Sequence, residues 1–386
     1  MSEQTKIAWC DSTLNFWEGC TKVSAGCAHC YAEARDKRFA PVNDVLTNEV
    51  KAMHWGKGAP RRKSKSAVKD ALAFNRKPWI CECGNALAAD FDLLRPEPKC
   101  EQCGKYRAWH RRRIFSLSLG DWLDDEVPIA WLAEMLDTIR QCDQVEWILC
   151  TKRPENWEKR LNEVCKLCEN THREGTLWDW TLEWMTGDII PKNIILLTSV
   201  ENQEQADIRI PQLLQIPAAC RGLSLEPLLG PVNLMPHIGW IDRKECGLEE
   251  DPMAASLLQT AMLEGRASAP CVRSLDWLII GGESGPDARP CNVDWIRSLV
   301  QQGKAAGVAT FVKQLGAVPL LKPCGQHHFD WRYKTANEKR PDDKLFSEEL
   351  VGNQSMWRIL LTDKKGGDPA EWPEDLRVQE WPKLVI

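Results

Sequence analysis

Ile114–Asp121 reads IFSLSLGD, an apolar run that stops in Ser118, Gly120 and Asp121. Five later runs repeat that plan: Val145–Thr151 (VEWILCT), Asn193–Val200 (NIILLTSV), Arg221–Leu225 (RGLSL), Trp277–Gly281 (WLIIG) and Ala309–Lys313 (ATFVK). Continuous apolar runs this short suit strands of a parallel sheet covered on both faces. Between them lie helical patterns. Ile129–Arg140 places Ile129, Leu132, Leu136 and Ile139 at helical spacing, and Gln203–Leu214 and Val293–Ala306 read similarly. The alternation predicts βαβ units. Each run then ends in polar or charged residues: Ser118 and Asp121, Lys152 and Arg153, Ser199 and Glu201, Ser224 and Glu226, Glu283 and Ser284, Lys313 and Gln314. Helix capping explains one or two such ends. Six of them, two carrying Lys, favour one site built from several strand ends, as in parallel α/β barrels. The expected fold class is α/β, a partial (β/α) barrel.

The chain has 386 residues, ample to bury a core without disulfide staples. Its 27% charged residues exclude a disordered chain, and no run of 18 apolar residues appears. The N-terminus shows no apolar signal core, so a cytoplasmic location with no membrane partner is expected. Thiols stay reduced there, so the 17 Cys point to metal rather than to disulfides. Three stretches interrupt the strand–helix pattern and read as insertions: a basic one over 51–112, and others at about 162–190 and 242–272. Residues 1–50 then form the first part of the barrel, 113–320 its main part, and 321–386 a C-terminal extension.

Asn15–Asp36 holds Cys20, Cys27 and Cys30 in C-x6-C-x2-C spacing. Three close thiolates suit an iron–sulfur cluster with one iron left without a protein ligand. A structural zinc site is the rival, with His29 or Cys10 as a fourth ligand. Tyr31–Arg38 reads as a helix beginning just after the last Cys, which puts the loop at the barrel's mouth. A second cluster, C-x-C and C-x2-C, comprises Cys81, Cys83, Cys100 and Cys103, and each pair is followed by Gly, as in zinc-ribbon knuckles. Four thiolates in two pairs suit one closed tetrahedral Zn2+. Cys165 and Cys168 form half of such a pattern and carry no metal assignment.

The second cluster lies in a basic run. From Lys51 to Arg113 there are 16 Lys/Arg against 6 Asp/Glu. Arg61, Arg62, Lys63 and Lys65 precede the cysteines, Arg111, Arg112 and Arg113 follow, and Trp79, Tyr106 and Trp109 stand among them. Cations track phosphates and aromatic rings stack on bases, so this segment is the expected nucleic-acid surface. Its plainer reading is a solvated basic covering.

The ordered runs GCTKVSAGCAHCYAE, SLGD, LCTKRPENW, TSVENQEQADIRI, LSLEPLLGPVNL, WLIIGGESGPDARP and FVKQLGA resemble a phage-associated family of largely unassigned function. That family is treated as radical S-adenosylmethionine (SAM) proteins, distantly similar to spore photoproduct lyase. The resemblance covers Thr5–Arg38 and Arg113–Gly316, apart from the insertions. It implies a radical SAM enzyme in which Cys20, Cys27 and Cys30 hold a [4Fe-4S] cluster and SAM chelates the fourth iron. Cleavage to a 5′-deoxyadenosyl radical would then modify or repair a nucleic acid or nucleotide-derived substrate, with an electron donor such as flavodoxin or ferredoxin. By the same resemblance Ser118 and Asp121 would meet the SAM amino group and Lys152 its carboxylate. Tyr31 and Ser199 would contact the ribose or the SAM tail. Glu226, Glu283, Arg289, Lys313 and Gln314 would line the substrate pocket. The first spacing is longer than the three residues usual for such proteins, and His29 replaces the aromatic residue that usually precedes the last Cys. If Cys10 ligated the fourth iron, the cluster would be closed to SAM.

Overall fold

The computed structural model describes residues 5–40, 53–87, 99–106, 109–169, 176–237, 275–322, 346–351 and 354–382. They fall into two compact units, one running to Leu197 and the other formed by Thr198–Gln215 and the chain from Arg221 onward.

In chain order the first unit carries β1 (Ser12–Leu14), β2 (Trp17–Glu18), α1 (Tyr31–Lys37), β3 (Arg62–Lys63) and α2 (Ala67–Arg76). Then come β4 (Trp79–Cys81), β5 (Ala86–Leu87), β6 (Trp109–Arg111), β7 (Arg113–Ser116) and α3 (Ile129–Gln141). It ends with β8 (Glu146–Thr151), α4 (Trp157–Leu167), α5 (Leu177–Thr186) and β9 (Ile194–Ser199), whose last two residues open the second unit. β1 pairs parallel with β7, and β7 with β8, in the registers Ser12↔Ile114 and Ile114↔Trp147. The carboxyl ends of these three strands therefore share one edge. Leu14, Ile114, Trp147, Ile148 and Leu149 are fully buried, which explains the apolar runs. The strand expected over Ile114–Leu119 stops at Ser116. Leu117 has φ 61°, a left-handed conformation that breaks the ladder and puts Ser118 and Asp121 in the following turn.

The stretch at 162–190 is largely helical. It holds α4 and α5, which pack on α3 and on each other. Thr176 and Asp179 form a capping box that starts α5, and Gly187 ends it in the left-handed region. Trp184 on α5 is buried, donates from Nε1 to the Pro217 carbonyl at 2.7 Å, and stacks on Trp122 at 6.5 Å. This segment supplies core, which its polar composition hides.

The second unit carries α6 (Gln203–Gln215), β10 (Cys220–Leu225, within it from Arg221), β11 (Trp277–Gly281), β12 (Cys291–Asn292) and α7 (Val293–Ala305). β13 (Ala309–Gln314), β14 (Pro319–Leu321), β15 (Phe346–Val351) and β16 (Gln354–Ile359) follow. β10 and β11, and β11 and β13, pair in parallel. β12, β14, β16 and β15 make a separate four-stranded sheet in that order. The C-terminal stretch packs on β13. Val312 donates to the Val378 carbonyl at 2.8 Å and Glu380 to that of Thr310 at 2.9 Å, which covers the outer edge of β13. The stretch at 242–272 lies outside the described residues.

Seven strands share the largest sheet, in the order β1-β7-β8-β9-β10-β11-β13, so the fold is mixed α/β. No helix among the described residues is long and apolar enough to cross a membrane.

Candidate functional site

The loop with Cys20, Cys27 and Cys30 leaves the carboxyl edge of the first unit's parallel strands. Gly19 bridges Gly120, just past β7, and donates to the Leu119 carbonyl at 3.0 Å. Gly19 has φ +113°, and a Cβ there would lie 2.4 Å from the His54 carbonyl oxygen, so only glycine fits. Cys27 closes a single 3-10 turn and Cys30 caps α1, as expected of a helix starting after the last Cys. Tyr31 donates its hydroxyl to the Ser118 carbonyl, which ties α1 to the turn after β7. Tyr31 and Ser118 are thus brought together beside the loop. Cys10 precedes β1, at the strand's other end, with its sulfur on the Ile7 carbonyl. The strand β1 separates it from Cys20.

Cys20, Cys27 and Cys30 are each half-buried. Burial, then the Asp121 carboxylate, pushes the Cys20 thiol up to about 12, opposed by the Arg153 guanidinium. Arg153 Nη1 lies 3.4 Å from the Cys20 sulfur and 3.0 Å from Asp121 Oδ2, and Nη2 donates to the Thr21 carbonyl at 2.6 Å. Asp121 also accepts from Thr151 Oγ1 (2.7 Å), Lys152 N (2.9 Å) and Leu123 N (3.0 Å). A carboxylate has about four lone-pair sites, and here four donors fill them. Asp121 thus has an internal role in this structure: it fixes Arg153. Lys152 contributes its backbone to that lock and keeps its ammonium half-buried, with no hydrogen-bond or ion-pair partner among the described residues.

The clamp on the other side of the loop comes from the segment expected to be an insertion. Gly56 N donates to the Cys20 carbonyl at 3.0 Å. Arg61 donates to Asp124 Oδ2 (2.8 Å), Thr21 Oγ1 (2.8 Å) and the carbonyls of Gly56 (3.1 Å) and Ala59 (2.7 Å). Its side chain is 1% exposed. Arg112 is also buried, donating to Ser12 Oγ at 2.9 Å and lying over the Phe74 ring at 4.6 Å. Arg113 pairs with Asp11. Arg111 lies over Trp79 at 5.5 Å and donates to the Asp143 and Gln144 carbonyls. Arg62 pairs with Glu18 and Lys63 with Glu134. Most of the arginines expected to face phosphate thus hold the protein together. Lys65, Lys69, Arg76 and Lys77, on and beside α2, are exposed and have no partner among the described residues.

The second cysteine set converges. Cys81, Cys83, Cys100 and Cys103 have sulfurs all within 4.8 Å of one another, the one such His/Cys/Asp/Glu group among the described residues. Cys81–Cys103 and Cys83–Cys100 are each 3.6 Å apart. A tetrahedral ion with metal–sulfur bonds of about 2.3 Å holds its sulfurs about 3.8 Å apart, so the four thiols could hold a metal such as zinc. Both knuckles turn through left-handed glycines, Gly84 and Gly104. The antiparallel strands β5-β4-β6 carry them. The Cys103 N–H aimed at its sulfur pulls Cys100 down to about 6, whereas burial pushes Cys81 up to about 12. Cys20, Cys27 and Cys30 do not form such a group.

In the second unit the expected pocket residues sit at strand ends as internal pairs. Lys313 Nζ lies 2.9 Å from Glu226 Oε1, and Gln314 donates to the Gly282 carbonyl at 2.7 Å. Arg289 grips Glu283 with Nη2 (2.7 Å) and Nε (2.8 Å) and adds its backbone N–H at 2.8 Å. That fork closes the loop after β11 and leaves Glu283 6% exposed. Ser199 ends β9 with its carbonyl on Arg209 at 2.8 Å.

The fold and these sites define a mixed α/β protein with one cysteine-bearing loop at its strand ends and a separate four-cysteine module. The chain belongs to the family described as Protein of unknown function (DUF5131), which matches residues 4–349. No curated protein and no solved structure matches it.

Proposed function

We propose that the chain is an enzyme of the radical SAM class, its sheet a partial barrel, with a cluster held by Cys20, Cys27 and Cys30. The observation that carries this reading is the buried Arg153 cation turned onto the Cys20 sulfur, with Cys10 a strand away. A set of thiolates around iron is anionic and needs a counter-charge in a low-dielectric site. Three loop thiols fit a cluster open at one iron. When reduced, such a cluster supplies the electron that cleaves SAM. Lys152, its ammonium without a partner among the described residues, is the residue to meet a carboxylate. Tyr31 and Ser118 stand beside the loop.

The module of Cys81, Cys83, Cys100 and Cys103 binds Zn2+ in this reading and resembles a zinc ribbon. The substrate is a nucleic acid or a nucleotide derivative, met by the exposed cations Lys65, Lys69, Arg76 and Lys77 rather than by Arg111–Arg113. A second reading is a metal-containing nucleic-acid-binding or redox-sensing protein without SAM cleavage. The four internal donors on Asp121 favour it. The test is anaerobic incubation of the iron-loaded chain with dithionite and SAM. Release of 5′-deoxyadenosine supports the enzyme. Intact SAM over a fully loaded cluster supports the second reading.

A further inference from the structure

We propose that Arg153 is a positioning residue that holds the Cys20 sulfur and sets the reduction potential of the cluster. The inference rests on the cluster reading above. Arg153 is 4% exposed, and every arm of its fork is tied. Nη1 bridges Asp121 Oδ2 (3.0 Å) and the Cys20 sulfur (3.4 Å), while Nη2 takes the Thr21 carbonyl (2.6 Å). Its backbone N–H reaches Thr151 Oγ1 (2.9 Å), which itself donates to Asp121 Oδ1 (2.7 Å). The guanidinium therefore cannot turn away without breaking three contacts.

A reduced cluster carries one more negative charge than its oxidised form. An N–H aimed at a ligand sulfur stabilises the more negative form, as does a fixed cation in a poorly solvated site. The anions facing the same sulfur, Asp121 and Asp124, act in the opposite sense. Of these three charged groups Arg153 is the one that also hydrogen-bonds the Cys20 sulfur. Lysine brings the charge but not the planar fork that reaches carboxylate, carbonyl and sulfur together.

The experiment is an electron paramagnetic resonance redox titration of the anaerobically reconstituted full chain, with iron counted in each sample. In R153M the ratio of reduced to oxidised cluster at the wild-type midpoint falls about tenfold, which is 59 mV for one electron. R153K returns the ratio to within about threefold of wild type, because the charge remains. If R153M strands Asp121 and fails to fold, R153Q keeps a polar partner for it and shows the same fall. An unchanged midpoint in iron-loaded R153M and R153Q overturns the role of Arg153 and leaves the cluster reading standing. A wild-type chain that takes up no iron overturns both.

Discussion

Arg61→Met tests whether the basic segment is built for support or for contact. Arg61 sits between Asp124, 0% exposed, and the Cys20 loop. Removing the guanidinium leaves the Asp124 carboxylate buried without its cation, a loss of about 3–5 kcal/mol. It also frees Thr21 Oγ1 and the Gly56 and Ala59 carbonyls, each worth roughly 0.5–1.5 kcal/mol and not additive with the first term. The expected total is about 4 kcal/mol. Urea unfolding followed by tryptophan fluorescence reads this as a lower midpoint at constant slope. Adding Asp124→Asn removes the stranded charge and recovers about 2 kcal/mol, so the double-mutant cycle shows coupling. An R61M protein within about 0.5 kcal/mol of wild type, but with weakened nucleic-acid binding, would refute the reasoning, because exposed contact residues have stability effects of that small size.

Other outcomes follow from the same geometry. Cys100→Ser drops bound zinc from about one ion per chain to near none by mass spectrometry of metals, because a closed tetrahedral site needs all four thiolates. Lys65, Lys69, Arg76 and Lys77 changed to Gln reduce the salt slope of nucleic-acid binding by roughly one per lost contact, read by fluorescence anisotropy against salt. Glu146 opens β8 and is pushed up to about 7 by burial, with Arg113 pulling it down and Asp11 pushing it up. Below its ordinary value the folded and unfolded carboxyls are both protonated. As pH rises through about 7 the buried group must ionise and stability is lost. Glu146→Gln therefore stabilises by about 2–3 kcal/mol at pH 8.5 and by nothing at pH 4, read by denaturant melts at the two values.

The strands were legible wherever burial on both faces makes a continuous apolar run, as in Ile194–Ser199 and Trp277–Gly281. The helices Ile129–Gln141 and Val293–Ala305 were legible from spacing alone. The four-cysteine module was legible because its two short cysteine pairs form a local pattern. Ends and partners were not. Leu117 turns left-handed inside an apolar run, and nothing in its residue type announces that. Residues 162–190 looked polar because α4 and α5 bury only one side, including Trp184. The largest gap concerned arginine. Arg61, Arg112 and Arg153 look like solvated cations in sequence, yet each is buried against a group tens of residues away. Such pairs depend on the folded arrangement, not on local pattern. Lys152 was singled out, and its neighbour Arg153 proved to be the group on the sulfur. Glu283 and Arg289 stand six residues apart in one loop, so their pairing was within reach of the sequence.

The most direct test of the account is the iron and sulfide content of the anaerobically reconstituted chain beside its Cys30→Ser variant. The account predicts a brown wild-type protein with about four irons beyond any zinc, and a variant that keeps its zinc but loses the cluster. A colourless wild-type chain that holds only zinc would contradict it.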